Sequence, residues 1–375
     1  MTGDSDHILA NASRWVIKIG SAVLTDNGRA LNHELIASIA AQVSELCDDG
    51  CEVILVSSGA VAAGLTRLGM KARPTRLHEL QAAAAVGQSA LVQAYEAAFT
   101  PAGRVCAQIL LSHDDVRSRD RYLNARATIG ALLERGVIPI VNENDTVVTD
   151  EVRFGDNDTL GALVANLIDA DVFVMLTDQD GLYSADPRHN NDAAKIAVAD
   201  AHDPALDTMV SAGSALGRGG MVSKLRAARL AARSGALAVI ADGREPDIVR
   251  QLRRGDSVGT RLANDKAPEP ARKQWLASLL YPKGSLTLDD GAVKSIQKGG
   301  RSLLSIGISA VSGEFARGDL VRCVDPEGLE VARGLVNYSA DEALQLLGIE
   351  SRQIETILGY GGDPEMIHCD NLVIT

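Results

Sequence analysis

The chain has 375 residues, 46% hydrophobic, 23% charged and only 3% aromatic, with a formal net charge of −12. That length supports a large core and two domains, and the acidic balance argues against broad nonspecific nucleic-acid binding while leaving room for a local basic patch. No run of about 18 uncharged apolar residues could span a membrane, and five scattered cysteines (Cys47, Cys51, Cys106, Cys323, Cys369) read as reduced thiols of a cytosolic protein rather than a zinc or disulfide framework.

The opening "MTGDSDHILANASRW" is acidic and polar and reads as no secretory signal. From there short β-branched runs alternate with helical patterns. "RWVIKI" at 14–19 is a first strand, and Leu35, Ile36, Ile39, Val43 and Leu46 share one helical face. Strands follow at 51–56, 105–111, 137–141, 172–176 and 236–240, separated by helices over about 75–99, 119–135, 159–168 and 221–233. Such alternation predicts an α/β fold, a parallel-rich open sheet sandwiched by helices. The pattern stops in the charged, Pro-containing segment 261–275, which marks a boundary. Beyond it "GSLTLDDGAV", "SLLSIGISAV", "DLVRCV" and "EVARGLV" read as the short strands of a small, mostly β domain.

Ligands of open α/β sheets bind beyond the carboxyl ends of the strands, so each strand end is a candidate. Lys18 interrupts the apolar first strand just before Gly20 and Ser21. It either snorkels outward or serves an anion together with nearby backbone N–H groups. After the second strand, "VSSGAVAAG" offers Ser57 or Ser58 as an N-cap, and the same helix start could receive a carboxylate or phosphate. After the fourth comes "VNENDTVVTDEVRFGDND", rich in carboxylates and amides. A divalent metal site, recognition of an ammonium group by carboxylate and amide oxygens and a solvated hairpin centred on 149–151 all remain open there. Thr177 and Asp178 follow the fifth strand, and Asp186 suits an Asx-turn. "GSALGRGGMVSK" could wrap polyphosphate with Lys224 as a charge. It is not a Walker A, since no Gly-Lys-Ser/Thr occurs, and Val222 fills the last glycine slot of a Gly-x-Gly-x-x-Gly.

In combination, "VIKIGSAVLT", "VILVSSGAVAAG", "AAVGQSALVQAYE", "RYLNARATIGALLERGVIPIVNENDTV", "FGDND", "MLTDQDGLYSADPR", "GRGGMVSK" and "SVGT", in this order, closely resemble the glutamate 5-kinase family. The resemblance implies an amino acid kinase domain over 1–265, a linker over 266–281 and a PUA-like β domain over 282–375. It implies ATP-dependent phosphorylation of the γ-carboxylate of L-glutamate, the first step of proline biosynthesis. Mg²⁺ would be carried mainly on the ATP phosphates, with no metal site on the protein.

By position, Lys18, Lys224 and Asp158 resemble the catalytic residues, with Asp158 orienting the two lysines. Ser58, Gly59, Asp145 and Asn157 resemble the substrate-binding set. Lys18, Thr177, Asp178, Arg218, Gly219, Gly220, Met221, Val222, Ser223 and Lys224 resemble the ATP-binding set. One position departs from the family, because Arg218 stands where the glycine loop usually carries Thr. A homo-oligomer (dimer or tetramer), feedback inhibition by proline, a functional link to glutamyl phosphate reductase and a cytoplasmic location are further implications of the resemblance alone. Another amino acid kinase, of the aspartate or acetylglutamate type, and a PUA-type RNA-binding protein are the competing readings. A pseudokinase would not be expected to keep Lys18, Asp158 and Lys224.

Overall fold

The computed structural model describes residues 2–25, 30–112, 115, 119–147, 157–185, 190, 192–211, 220–263 and 282–375. The chain divides into two compact units, Met1–Pro268 and Glu269–Thr375, each taken here by itself. The expected hairpin around 149–151, the Asx-turn at Asp186, the linker 266–281, and Arg218 and Gly219 fall outside the described residues.

In chain order the first unit contains α1 (Thr2–Asn11), β1 (Arg14–Ile19), the single turn α2 (Ser21–Leu24), α3 (His33–Asp48), β2 (Glu52–Ser57), α4 (Ala60–Arg67), α5 (Leu77–Phe99) and β3 (Cys106–Leu111). It continues with α6 (Arg119–Leu133), β4 (Ile138–Glu143), α7 (Asn157–Leu167), β5 (Val172–Thr177), β6 (Leu182–Tyr183), β7 (Lys195–Ile196) and β8 (Val198–Asp200). It ends with α8 (Ala205–Ser211), α9 (Met221–Ala232), β9 (Leu237–Asp242), α10 (Ile248–Arg254) and β10 (Thr260–Ala263).

Eight strands form one sheet in the order β3-β4-β2-β1-β5-β9-β10-β8. All neighbours are parallel except β9 and β10. The parallel-rich sheet matches the expected fold. The short strands β6, β7, β8 and β10 and the helix α1 carry too little periodicity to be read from sequence, and β10 pairs antiparallel with β9 although α10 lies between them in the chain.

β1 lies between β2 and β5, with Lys18 level with Val56 and Met175. The chain first builds outward to one side (β2, β4, β3) and then returns to the other (β5, β9), so the strand order reverses beside β1. Side-chain alternation along a strand then sorts the two faces. Trp15, Ile17, Ile19, Val172, Val174 and Leu176 join a core with Ile36, Ile39 and Val43 of α3 and Tyr95 and Phe99 of α5. Lys18 and Phe173 take the opposite face, where a Cβ added to Gly161 of α7 would stand 3.4 Å from Lys18 Cβ and 2.7 Å from the Phe173 ring. Every residue of α7 is buried, which explains an apolar pattern on all sides of this helix rather than one stripe.

Among the element ends that differ from the sequence reading, two carry site residues that it places outside the elements. β4 continues past Val141 because Asn142 and Glu143 pair with Leu110 and Leu111 of β3. Ladder pairing holds these polar residues in the sheet. α7 begins at Asn157 rather than Thr159, so Asn157 and Asp158 sit in its first turn.

The second unit is a five-stranded sheet, β12-β11-β13-β14-β15, built from β11 (Gly284–Leu288), β12 (Ile308–Gly313), β13 (Leu320–Val324), β14 (Glu330–Leu335) and β15 (Leu372–Ile374). It encloses its own core, including Leu286, Val321, Ala332, Tyr338 and Ile367. A capping box of Ser339 and Glu342 starts its helix α12 (Ala340–Gln345), which follows α11 (Asp290–Gln297). All five cysteines are free thiols. No helix among the described residues is long and apolar enough to cross a membrane.

Candidate active site

The carboxyl ends of β1, β2, β4 and β5 converge with the first turns of α7 and α9. Lys18 Nζ donates to Asp158 Oδ1 at 2.5 Å, and Lys224 Nζ donates to Asp158 Oδ2 at 3.2 Å. Ser223 Oγ, on the turn that carries Lys224, donates to the same Oδ2 at 2.8 Å. All three ionised groups are buried: Lys18 and Lys224 are each 6% exposed and Asp158 3%. Burial pushes the Asp158 carboxyl up, but the charges of Lys18 and Lys224 and the hydrogen bonds from Lys18 and Ser223 outweigh it and hold it below the ordinary carboxylate range. One anion between two cations leaves a net positive, desolvated cluster, suited to negative charge that builds up on a bound group.

The residue before Asp158 belongs to a second cluster. Asn157 Nδ2 lies 2.9 Å from Ser58 Oγ, 3.0 Å from the Ser57 carbonyl and 3.2 Å from Asn142 Oδ1. These groups border a cleft of about 890 Å³ whose lining includes Ser21, Ser58, Gly59, Arg73, Asn142, Glu143, Asp145, Asn157, Asp178 and Arg244. Asp145 is 7% exposed. Burial and then the neighbouring Glu143 raise its carboxyl to about 7, against the opposing pull of Arg73. Among the described residues a carboxyl so poised has no cationic partner strong enough to keep it fully ionised, and an ammonium group could serve as one.

The β2–α4 corner corrects one expectation. Neither Ser57 nor Ser58 is the N-cap. Gly59 holds that place at φ 93°, with no side-chain cap, a left-handed conformation that glycine adopts without strain. Ser57 instead shares a hydrogen bond with buried Tyr95, 2.9 Å between oxygens, and Ser58 turns to Asn157. The first-turn N–H groups of α4 therefore remain uncapped by side chains at the edge of the cleft. Across the cleft, Thr177 Oγ1 donates to Asp178 Oδ1 at 3.1 Å, and Arg244 Nη2 donates to the Asp178 carbonyl at 2.7 Å. Gly220 caps α9 in an extended conformation, again with no side-chain cap. Met221 and Val222 follow it in the first turn, ahead of Ser223 and Lys224, and Val222 is exposed.

The structure thus gathers Lys18, Asp158, Ser223 and Lys224 into one bonded cluster and Ser58, Gly59, Asp145 and Asn157 around one cleft, joined where Asn157 precedes Asp158. It also brings in residues that the sequence reading did not single out: Gln88, Gln108, Arg73 and Arg244. Gln88 left a faint signal as a polar residue in the Ala-rich stretch of α5; the two arginines left none.

Comparison with known proteins gives a consistent result. The family model described as "Amino acid kinase family" matches residues 13–242, and that of the PUA domain matches residues 284–358. The glutamate 5-kinase of Teredinibacter turnerae is 56% identical over 368 residues, covering 98% of this chain and 99% of its own. That of Chromohalobacter salexigens is 57% identical over 366 residues, covering 98% and 97%. Among solved structures, a Giardia lamblia carbamate kinase bound to AMP-PNP aligns with TM-score 0.50 at 15% identity, over 68% of this chain and all (100%) of that one, a likeness of fold alone.

Proposed function

The chain belongs to the glutamate 5-kinases of the amino acid kinase family, and we propose that it transfers the γ-phosphoryl group of ATP to the γ-carboxylate of L-glutamate. The products are L-glutamyl 5-phosphate and ADP, and the reaction is the first step of proline biosynthesis. The observation that carries this reading is Asp158 bridging two buried lysines one residue from the amide and carboxylate wall of the cleft.

The chemistry asks little of the protein in proton transfer. The nucleophile is already a carboxylate oxygen; an O–P bond forms as the bond to the ADP oxygen breaks, and no proton moves. Catalysis is then positioning and charge stabilisation. Asp145, Asn157, Ser58 and the Gly59 turn hold the amino acid head. Lys18 and Lys224 stabilise charge on the transferred group and the leaving oxygen, while Asp158 fixes both ammonium groups in place. Thr177, Asp178 and the first turn of α9 from Gly220 to Lys224, with Arg218 and Gly219 before it, hold the nucleotide.

The nucleotide would bring Mg²⁺ with it, and the ion would supply neutralisation of phosphate charge. Both Asp158 oxygens are engaged by ammonium and hydroxyl donors, and no cluster of three His, Cys, Asp or Glu among the described residues could hold a metal. Family membership also supports a homo-oligomer, feedback by proline, hand-over of the acyl phosphate to a reductase and residence in the cytoplasm. Gel filtration and proline titration of the activity test the first two.

The deciding experiment supplies ATP, Mg²⁺ and glutamate, aspartate or N-acetylglutamate in turn, and traps acyl phosphate as hydroxamate. Glutamate should give the product; no hydroxamate from glutamate would overturn the assignment.

A further inference from the structure

A chain of amides runs from Gln108 and Gln88, which no part of the reaction uses, to Asn142 and Asn157 of the cleft wall. Gln108 of β3 donates from Nε2 to Gln88 Oε1 at 3.0 Å. Asn142 of β4 donates from Nδ2 to the same oxygen at 3.3 Å, and Gln88 Nε2 lies 3.4 Å from the Glu143 carbonyl. With its nitrogen committed to Gln88, Asn142 turns Oδ1 the other way. That oxygen accepts from Glu143 N at 2.9 Å and from Asn157 Nδ2 at 3.2 Å. Asn157 Nδ2 has further acceptors in Ser57 and Ser58, so its nitrogen is held inward. Its oxygen is left buried and without a hydrogen-bond partner among the described residues.

We propose that Gln88 is a positioning residue for the amino acid substrate: by accepting from Asn142 it reinforces the sense of the amide chain that the Glu143 N–H and the Ser57 carbonyl also favour, so that Asn157 offers the substrate ammonium an oxygen rather than a nitrogen. This rests on the reading of the cleft as a glutamate site. A buried acceptor with no partner among the described residues is costly, and a bound ammonium would offset that cost. If Gln88 could not accept, the Asn142 amide would lose one of its two holds and only the Glu143 N–H would oppose its reversal. A reversed amide would set its nitrogen against that of Asn157, donor against donor, and shift the Asn157 oxygen from where an ammonium needs it, with only Ser57 and Ser58 left to hold the Asn157 nitrogen. Gln88 itself is buried and touches no substrate atom in this scheme, which is why its effect must pass through Asn142.

Glutarate, which has both carboxylates of glutamate but no ammonium, separates this role from a general packing role. The wild-type enzyme, Gln88→Met and Gln108→Leu are compared for kcat, for KM of glutamate and ATP, and for the inhibition constant of glutarate against glutamate. Gln88→Met should raise KM for glutamate about tenfold or more, and leave kcat, KM for ATP and glutarate inhibition within about twofold. Gln108→Leu, on an exposed position, should shift KM for glutamate in the same direction by about two- to threefold. Equal weakening of glutamate and glutarate, or no change in KM for glutamate, would overturn the proposal. If Gln88→Met fails to fold, an unchanged Gln108→Leu overturns it alone. Failure of the underlying reading looks different: the wild-type enzyme would form no hydroxamate from glutamate.

Discussion

Lys18 and Asp158 meet at 2.5 Å across 140 residues of chain, and the second oxygen of the same carboxylate receives Lys224. The arrangement is a buried triad in which one anion separates two cations. Asp158→Asn should leave both ammonium groups buried without their counter-charge, a situation that costs about 3–5 kcal/mol when a buried pair is broken. The expected result is a fall in kcat of about 100-fold or more together with a lower Tm at pH 7. The folded pKa of Asp158 is depressed, so its stabilisation is present above pH 4 and is lost as the pH falls through the folded value. Thermal melts across pH check both.

Asp145 presents the reverse case. Its carboxyl ordinarily titrates near 3.8 and is raised to about 7 in the fold. The protonated native form therefore contributes stability that is fully present below pH 4 and is lost as the pH rises through 7. Asp145→Asn cannot ionise, so the empty variant should be more stable than wild type at pH 8, by roughly 2 kcal/mol, and equal to it near pH 4. The same substitution should raise KM for glutamate about 100-fold, because the carboxylate that meets the ammonium is gone. In the wild-type enzyme, kcat/KM for glutamate should fall as the pH drops below about 7, with kcat itself nearly flat, since bound substrate keeps Asp145 ionised. A variant that is less stable than wild type at pH 8 would refute this account of the site.

Much of this was visible in the amino-acid sequence, for physical reasons. Strand–helix alternation fixed the parallel-rich sheet, and a lone lysine in an apolar strand drew attention to the face of β1 that α7 covers. What stayed hidden depends on pairing between distant segments. β4 runs through Asn142 and Glu143 because β3 lies beside them, and no local propensity reports that. Gly59 rather than either serine is the N-cap, and Ser58 instead accepts from Asn157, 99 residues away. Gln88 looked like one polar residue on a helix until β3 and β4 supplied its partners.

Gly161 tests how closely Lys18, in its proposed catalytic role, depends on packing. A Cβ there would lie 2.7 and 2.9 Å from Cε2 and Cζ of Phe173, so Gly161→Ala must push α7 or the ring away. Overpacking of this kind costs about 1–3 kcal/mol, and the movement should part Asp158 from Lys18 enough to cut kcat about tenfold or more. Adding Phe173→Leu makes room and should restore kcat. If the double variant melts like wild type but stays slow, the link between this contact and the triad is wrong.

Arg244 gives the last prediction, and it concerns the nucleotide side. Its guanidinium pairs with Asp242 at 2.8 Å and holds the Asp178 carbonyl at 2.7 Å, yet the side chain is 58% exposed. An exposed pair of this kind adds little to stability, about 0–1 kcal/mol, so Arg244→Ala should melt near wild type. Its contribution is to fix the turn after β5, where Thr177 and Asp178 stand. The variant should therefore raise KM for ATP about three- to tenfold, with KM for glutamate changed less than about twofold. A change confined to glutamate would place Arg244 at the amino acid end of the cleft and would require Thr177 and Asp178 to serve a different ligand.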